Sequence, residues 1–208
     1  MRGTIARHRK AGDAVTVLIL ADGVASRGGG NCTTAIEERR GWARAANALL
    51  GVGDLTLLSY PDNRMDTVAL LDVVQDIERV LERCRPAIVY THRAGDVNID
   101  HTRAHQAVVA ACRPQPGRTV QQLLFFETVS STEWQPAASH ATFAPSYFVD
   151  IADTLHAKLQ AAAAYSGELR EFPHSRSIAA IEHLARWRGA SAGLAAAEAF
   201  ELGRMIVR

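Results

Sequence analysis

The residues best suited to chemistry lie between Tyr90 and His101, where a short apolar run leads into a loop rich in polar side chains. This segment contains the side chains of His92, Asp96, Asn98, Asp100 and His101. Imidazole and carboxylate groups bind metal ions and transfer protons. The segment therefore predicts a site for metal-assisted or acid–base chemistry.

The apolar run at 87–90 indicates how these side chains are positioned. It is continuously apolar and follows Pro86, which ends the preceding helix, and this pattern is typical of a buried parallel strand. Ligands in open α/β sheets bind just beyond the carboxyl ends of such strands. We therefore expect the polar residues to lie at the sheet edge where a substrate binds.

Helix and strand signals alternate along the rest of the chain. The patterns predict helices at 1–11, 33–50, 68–84, 101–112, 154–165 and 177–189, and strands at 14–20, 55–60, 87–90, 120–126 and 146–151. This alternation predicts an α/β fold with a mostly parallel sheet and helices on both faces.

Composition limits the function classes. The 208 residues are 48% hydrophobic, enough for one domain with a full core, and 23 basic residues balance 22 acidic ones. Without a basic run, neither nucleic acid nor an anionic membrane is indicated as a partner. The three cysteines form no C-x-x-C pair, and no apolar run reaches the length of about 18 residues that a membrane span needs. We expect a cytoplasmic protein.

Four passages are informative together: residues 3–6 leading to 18–23, residues 60–66, residues 91–101, and residues 172–177 with 186–189 and 197–200. In their order and spacing they resemble the PIG-L/LmbE-like family of zinc-dependent deacetylases. The resemblance covers nearly the whole chain and implies a single deacetylase domain over 1–208 with a Rossmann-like fold. It also implies removal of acetyl groups from N-acetylated amino sugars such as N-acetylglucosamine or related glycoconjugates, with Zn²⁺ at the sheet edge. Relatives often self-associate, so the resemblance also suggests a homo-oligomer.

The family's His-Pro-Asp-Asp-Glu signature, which supplies two zinc ligands and the general base, is absent from this sequence. Residues 1–6 align just after that signature, so we expect an N-terminally truncated domain whose first strand is missing. Without that strand the domain would lose the burial of about five apolar side chains, which contribute about 1.5 to 3 kcal/mol each. This loss is comparable with the total free energy of unfolding of a typical domain, about 5 to 15 kcal/mol. We favour a true start upstream over a remnant with another arrangement.

The resemblance assigns roles near the polar loop, each with a structural alternative. His101 matches the third zinc ligand, and its alternative is a histidine that bonds backbone at a helix start. Asp100 orients a neighbour or caps the helix. Asn98 stands where many relatives have His; its amide can donate to an oxyanion but cannot transfer a proton. His92 serves as a donor or as a structural histidine.

Arg39, Asp62 and Met65 match substrate-binding positions of the family. His174 and Arg176 lie in a loop whose polar density suggests a wall of the substrate pocket. The alternatives are a solvated helix face for Arg39, a turn aspartate for Asp62, and a helix start for the 172–177 loop. Glu198 lies among alanines, and we expect it to form a structural ion pair, for example with Arg188.

Two other function classes stay open. One is a metal-free pseudoenzyme that keeps the sugar pocket and binds glycans without catalysis. The other is a nucleotide-binding Rossmann protein, supported only by the glycine run at 28–30. That support is poor because a phosphate-binding glycine motif should follow the first strand closely.

Overall fold

A computed structural model describes residues 1–24, 32–139 and 142–207. The glycine run at 28–30 lies outside the described residues. The chain divides into two compact units, Met1–Asp62 with Phe148–Ala199, and Asn63–Tyr147 with Phe200–Arg208. The expectation of a single domain over 1–208 stays a prediction.

Helices and strands alternate as expected. The helices are α1 (Arg2–Lys10), α2 (Cys32–Leu49), α3 (Leu70–Cys84), α4 (Ile99–Ala111), α5 (Leu155–Ala163) and α6 (Ile178–Ala190). The strands are β1 (Thr16–Ala21), β2 (Asp54–Tyr60), β3 (Ile88–His92), β4 (Gln122–Phe126), β5 (Tyr147–Asp150) and β6 (Ala197–Met205). Every predicted element is present within a few residues of its expected bounds, and the α/β fold class is confirmed.

In the first unit, β1 and β2 form a parallel pair in which Thr16 lies opposite Asp54. A small core includes Ile5 of α1, Leu50 and Ala161 of α5. The residues of β1 are only half-buried, although five of its six residues are apolar. Among the described residues β1 pairs with β2 alone, so it has the exposure of an edge strand.

In the second unit, β3 and β4 are parallel and α3 packs on α4. Strand β6 runs antiparallel to β4. The sequence did not predict β6, since its first half, Ala197-Glu-Ala-Phe200, has little strand character. Phe200 nevertheless becomes fully buried in that strand, against the ring of Tyr90. The expectation of a missing first strand stays a prediction.

None of the helices in the described part of the chain has the length and apolar character needed to cross a bilayer.

Candidate functional site

The polar residues of 92–101 gather at the carboxyl ends of β3 and β4, entirely within the second unit. His92 ends β3 and lies opposite Phe126, which ends β4. The loop after β3 supplies Asp96, and the loop after β4 supplies Ser131. Neighbouring parallel strands bring their following loops to one sheet edge. The position predicted from the sequence is therefore the position observed.

Asn98 begins helix α4. Its Oδ1 atom accepts hydrogen bonds from the backbone N–H groups of Asp100, at 2.8 Å, and His101, at 3.4 Å. This N-cap satisfies donors that have no partner within the helix, and it places His101 in the first turn. Only the amide nitrogen of Asn98 is then suited to donate to an oxyanion, and that role stays a prediction.

Asp100 anchors the turn at 63–65. Its carboxylate accepts from the backbone N–H of Asn63 at 2.6 Å and of Met65 at 3.0 Å. Asp100 is 7% exposed and Met65 only 1%. These contacts are structural, and a catalytic role for Asp100 stays a prediction.

His101 contacts a buried carboxylate. Its Nδ1 atom lies 3.2 Å from Oδ2 of Asp96 and 3.4 Å from Oγ of Ser131. The Asp96 side chain is fully buried, whereas that of His101 is 20% exposed. Burial raises the pKa of Asp96, but hydrogen bonds from His101 and Ser131 outweigh it and the net pKa is lowered. Asp96 is therefore ionised at neutral pH.

His92 lies between two rings. It stacks on His101 with 4.1 Å between ring centroids and 17° between the planes, and it tilts against Phe126 at 4.6 Å. Burial, followed by the charge of His101, lowers the pKa of His92 well below its usual value. His92 is thus neutral at pH 7 and can donate one N–H. Whether it contacts substrate stays a prediction.

Of the residues at this sheet edge, His101 with its partner Asp96 resembles one ligand of a zinc centre. Catalytic zinc usually has three protein ligands, and a carboxylate commonly holds the far ring nitrogen of a histidine ligand. His101 with Asp96 fits that pattern. Across residues 1–24, 32–139 and 142–207, however, no three His, Cys, Asp or Glu side chains are grouped to hold a metal ion. The described residues therefore do not fit a complete zinc centre.

Three predicted substrate-binding residues meet around Glu168 in the first unit. Glu168 contacts the guanidinium of Arg39 and accepts from Nη1 of Arg176 at 3.0 Å, and Nδ1 of His174 accepts from the backbone N–H of Arg176 at 3.0 Å. The Arg39 side chain lies against Gly23, just after β1. Arg39 and Arg176 are therefore engaged by a carboxylate, and their sugar-binding role stays a prediction. Asp62 is half-buried after β2.

Sequence reasoning missed the partners of the predicted residues. Ser131, Thr132 and Glu168 belong to no motif, and they follow their partners Asp96 and Arg39 by between 35 and 129 residues. The only local signal was the run of small polar residues at 128–132, directly after a predicted strand.

Comparison with known proteins gives a family and a fold. The model of the family PIG-L, described as GlcNAc-PI de-N-acetylase, matches residues 1–112. No curated protein matches the chain by sequence.

Three solved structures are similar over nearly the full chain. A conserved protein from Thermus thermophilus is 24% identical, with TM-score 0.77, covering 100% of this chain and 89% of its own. The N,N'-diacetylchitobiose deacetylase from Pyrococcus horikoshii is 18% identical, with TM-score 0.78, covering 98% and 78%. The 4-carboxy-2-hydroxymuconate hydratase GalB from Pseudomonas putida is 21% identical, with TM-score 0.78, covering 100% and 91%. A deacetylase and a hydratase thus share the fold, so fold alone does not select the reaction.

Proposed function

Because this chain belongs to the PIG-L family, we propose that it is a metal-dependent hydrolase that removes the acetyl group from an N-acetylated amino sugar or a related glycoconjugate. The structurally similar P. horikoshii protein is a diacetylchitobiose deacetylase, and this supports an acetylated sugar as the substrate class. The structurally similar GalB protein is a hydratase, so the fold is compatible with a reaction other than deacetylation.

The observation behind this proposal is the geometry of His101. The residue stands in the first turn of α4, at the carboxyl end of β3, with Nδ1 engaged by Asp96. We propose His101 as one zinc ligand. The described residues do not by themselves complete a zinc centre.

The remaining site residues have proposed contacts with the sugar. The Asn98 amide and a neutral His92 are hydrogen-bond donors at the same sheet edge as His101, suited to the acetyl oxygen. Arg39, Asp62, His174 and Arg176 in the first unit, and Met65 in the second, are proposed substrate-binding residues. A cytoplasmic location and self-association are also proposed.

A second candidate function is a glycan-binding protein that needs no metal. The ligand set within the described ranges favours it, because His101 alone among them is proposed as a ligand and one imidazole without partners binds zinc weakly. This candidate retains the sugar contacts and lacks the hydrolytic step.

Two assays on one preparation distinguish the candidates. Acetate release and binding of N-acetylglucosamine and N,N'-diacetylchitobiose are measured with added Zn²⁺ and with a chelator, for the wild type and His101→Ala. The deacetylase proposal expects acetate release that stops with the chelator and falls at least about 100-fold in His101→Ala. Sugar binding that resists the chelator, without acetate release, supports the second candidate instead. Absence of both activities contradicts both.

A further inference from the structure

The buried carboxylate of Asp96 has more partners than a loop residue needs. Besides Nδ1 of His101, it accepts from the hydroxyls of Ser131 and Thr132, the latter at 3.1 Å, and from the backbone N–H of Asn98 at 3.3 Å. We propose that Asp96 is a positioning residue that fixes the proton of His101 on Nδ1 and so presents the unprotonated Nε2 atom to the site. The use of Nε2 rests on the proposed function, but the position of the proton does not.

The location of that proton follows from what each partner can do. Oδ1 of Asp96 accepts from the Ser131 hydroxyl and the Asn98 backbone N–H, and Oδ2 accepts from the Thr132 hydroxyl, so the group acts as an acceptor and Nδ1 is the donor at 3.2 Å. Ser131 donates its hydroxyl proton to Asp96, which leaves its oxygen to accept a second contact from Nδ1 at 3.4 Å. In a neutral imidazole with a proton on Nδ1, the Nε2 atom has a free lone pair. A lone pair on Nε2 can bind a metal ion or accept a proton.

The loop after β4 is folded so that it holds Asp96 from one side. The Glu133 carboxylate accepts from the backbone N–H of Ser131 at 3.3 Å and from that of Ser130, and Thr132 bonds back to Thr128 through both backbone and hydroxyl. Ser130 adopts a positive φ of 61°, an uncommon conformation for a residue with a side chain. We call residues 128–133 the serine clasp.

The contacts of the serine clasp indicate that Asp96 has a positioning role and is not merely a buried loop residue. Ser130, Ser131 and Thr132 are each at most 9% exposed, and two of their hydroxyls point at a single carboxylate. A buried carboxylate that served only to start α4 would need the Asn98 backbone bond alone. The hydroxyls of Ser131 and Thr132 fix the orientation of the Asp96 carboxylate. In that orientation its Oδ2 atom contacts the ring of His101.

The test is ¹⁵N NMR of the histidine rings in the 208-residue protein, without added metal and in alkaline buffer, which distinguishes a ring protonated on Nδ1 from one protonated on Nε2. The expected wild-type signal for His101 is the tautomer with the proton on Nδ1. Asp96→Asn should shift the population toward the form protonated on Nε2, which predominates in free histidine. The matched surface control Asp72→Asn should retain the Nδ1 form.

A wild-type His101 protonated on Nε2 would overturn the proposal, whatever the variants do. So would an Asp96→Asn protein that folds, by its amide spectrum, and keeps the wild-type tautomer. If Asp96→Asn does not fold, Ser131→Ala decides: the Nδ1 population should fall, and an unchanged population rejects the role. Because the spectrum needs neither metal nor substrate, its result is independent of the acetate assay.

Discussion

At the residue scale, the sequence allowed the polar loop to be recognised but not its internal contacts. His92, Asp96 and His101 lie close along the chain, and a strand before them was enough to place them at a sheet edge. The Ser131 hydroxyl that holds Asp96 comes 35 residues later, and no local pattern links the two. Asn98 and Asp100 were identified as polar site residues, while their observed bonds depend on where α4 begins and how the 63–65 turn packs.

Asp100→Ala should destabilise the fold. The change removes the acceptor for the N–H groups of Asn63 and Met65, and hydrogen bonds to a charged group contribute about 1.5 to 3 kcal/mol each. We expect a loss of about 2 to 4 kcal/mol in the free energy of unfolding, measured by urea denaturation. Asp72→Ala, an exposed aspartate in α3, is the control and should change stability by less than about 1 kcal/mol. Equal effects of the two substitutions would refute the anchoring role.

At the element scale, local periodicity predicted the helices and the parallel strands well. It failed at β6, where alanines surround Glu198 and only tertiary contacts determine the strand. Phe200 is buried against Tyr90 and Tyr147, and Glu198 binds backbone groups of α1. Strand propensity is a weak guide when packing decides in this way. Tertiary packing also decides whether replacing a helical glycine by alanine stabilises or destabilises the protein.

Gly41→Ala and Gly189→Ala should change stability in opposite directions. Gly41 in α2 is exposed, and a Cβ there meets nothing within 4 Å, so alanine should stabilise by about 0.5 to 1 kcal/mol through helix propensity. At Gly189 in α6, a Cβ would come 2.7 Å from backbone atoms of Ala196. Overpacking of this kind costs about 1 to 3 kcal/mol. Thermal unfolding of both variants is the measurement, and two shifts of the same sign would contradict the close packing at Gly189.

At the scale of the whole molecule, one buried carboxylate joins distant parts of the first unit. Glu198 of β6 accepts from the backbone N–H of Gly3 at 3.2 Å and of Thr4 at 2.7 Å, and it pairs with Lys158 of α5. The sequence predicted an ion pair at Glu198 and suggested Arg188, but the partners are Lys158 and the ammonium of Met1. Burial raises the pKa of Glu198, yet these two charges and the hydrogen bonds from Lys158 and Thr4 together outweigh burial and lower the pKa strongly.

Glu198→Gln should therefore reduce stability in a pH-dependent way. A carboxyl whose pKa is lower in the folded state stabilises above its unfolded pKa, about 4.3, and the stabilisation is lost as pH falls below it. Removing one partner of a buried pair costs about 3 to 5 kcal/mol, so the variant should be less stable by that amount at pH 7. The difference from wild type should narrow below about pH 4 in urea denaturation. If the double variant Glu198→Gln/Lys158→Met recovers part of the lost stability, the uncompensated lysine is the cause. If the difference in free energy of unfolding between Glu198→Gln and wild type does not change with pH, the ion-pair account is wrong.

The family assignment and the α/β fold could be obtained from the sequence because they depend on order and spacing along the chain. The sequence also predicted that two zinc ligands are missing, because the His-Pro-Asp-Asp-Glu signature is absent, and this stays a prediction. The contacts of His101 could not be predicted, since they depend on which side chains converge in space. The sequence contains eight histidines, yet in the described part of the chain no three candidate ligands come together.

The most direct test of the central claim is calorimetric titration of the metal-free protein with Zn²⁺, comparing the wild type with His101→Ala. If His101 is a metal ligand presented by Asp96, the wild type binds zinc, and His101→Ala weakens the binding at least about tenfold, because an imidazole–zinc bond is lost. Equal affinity in the two proteins, or no zinc binding by the wild type, would contradict the account.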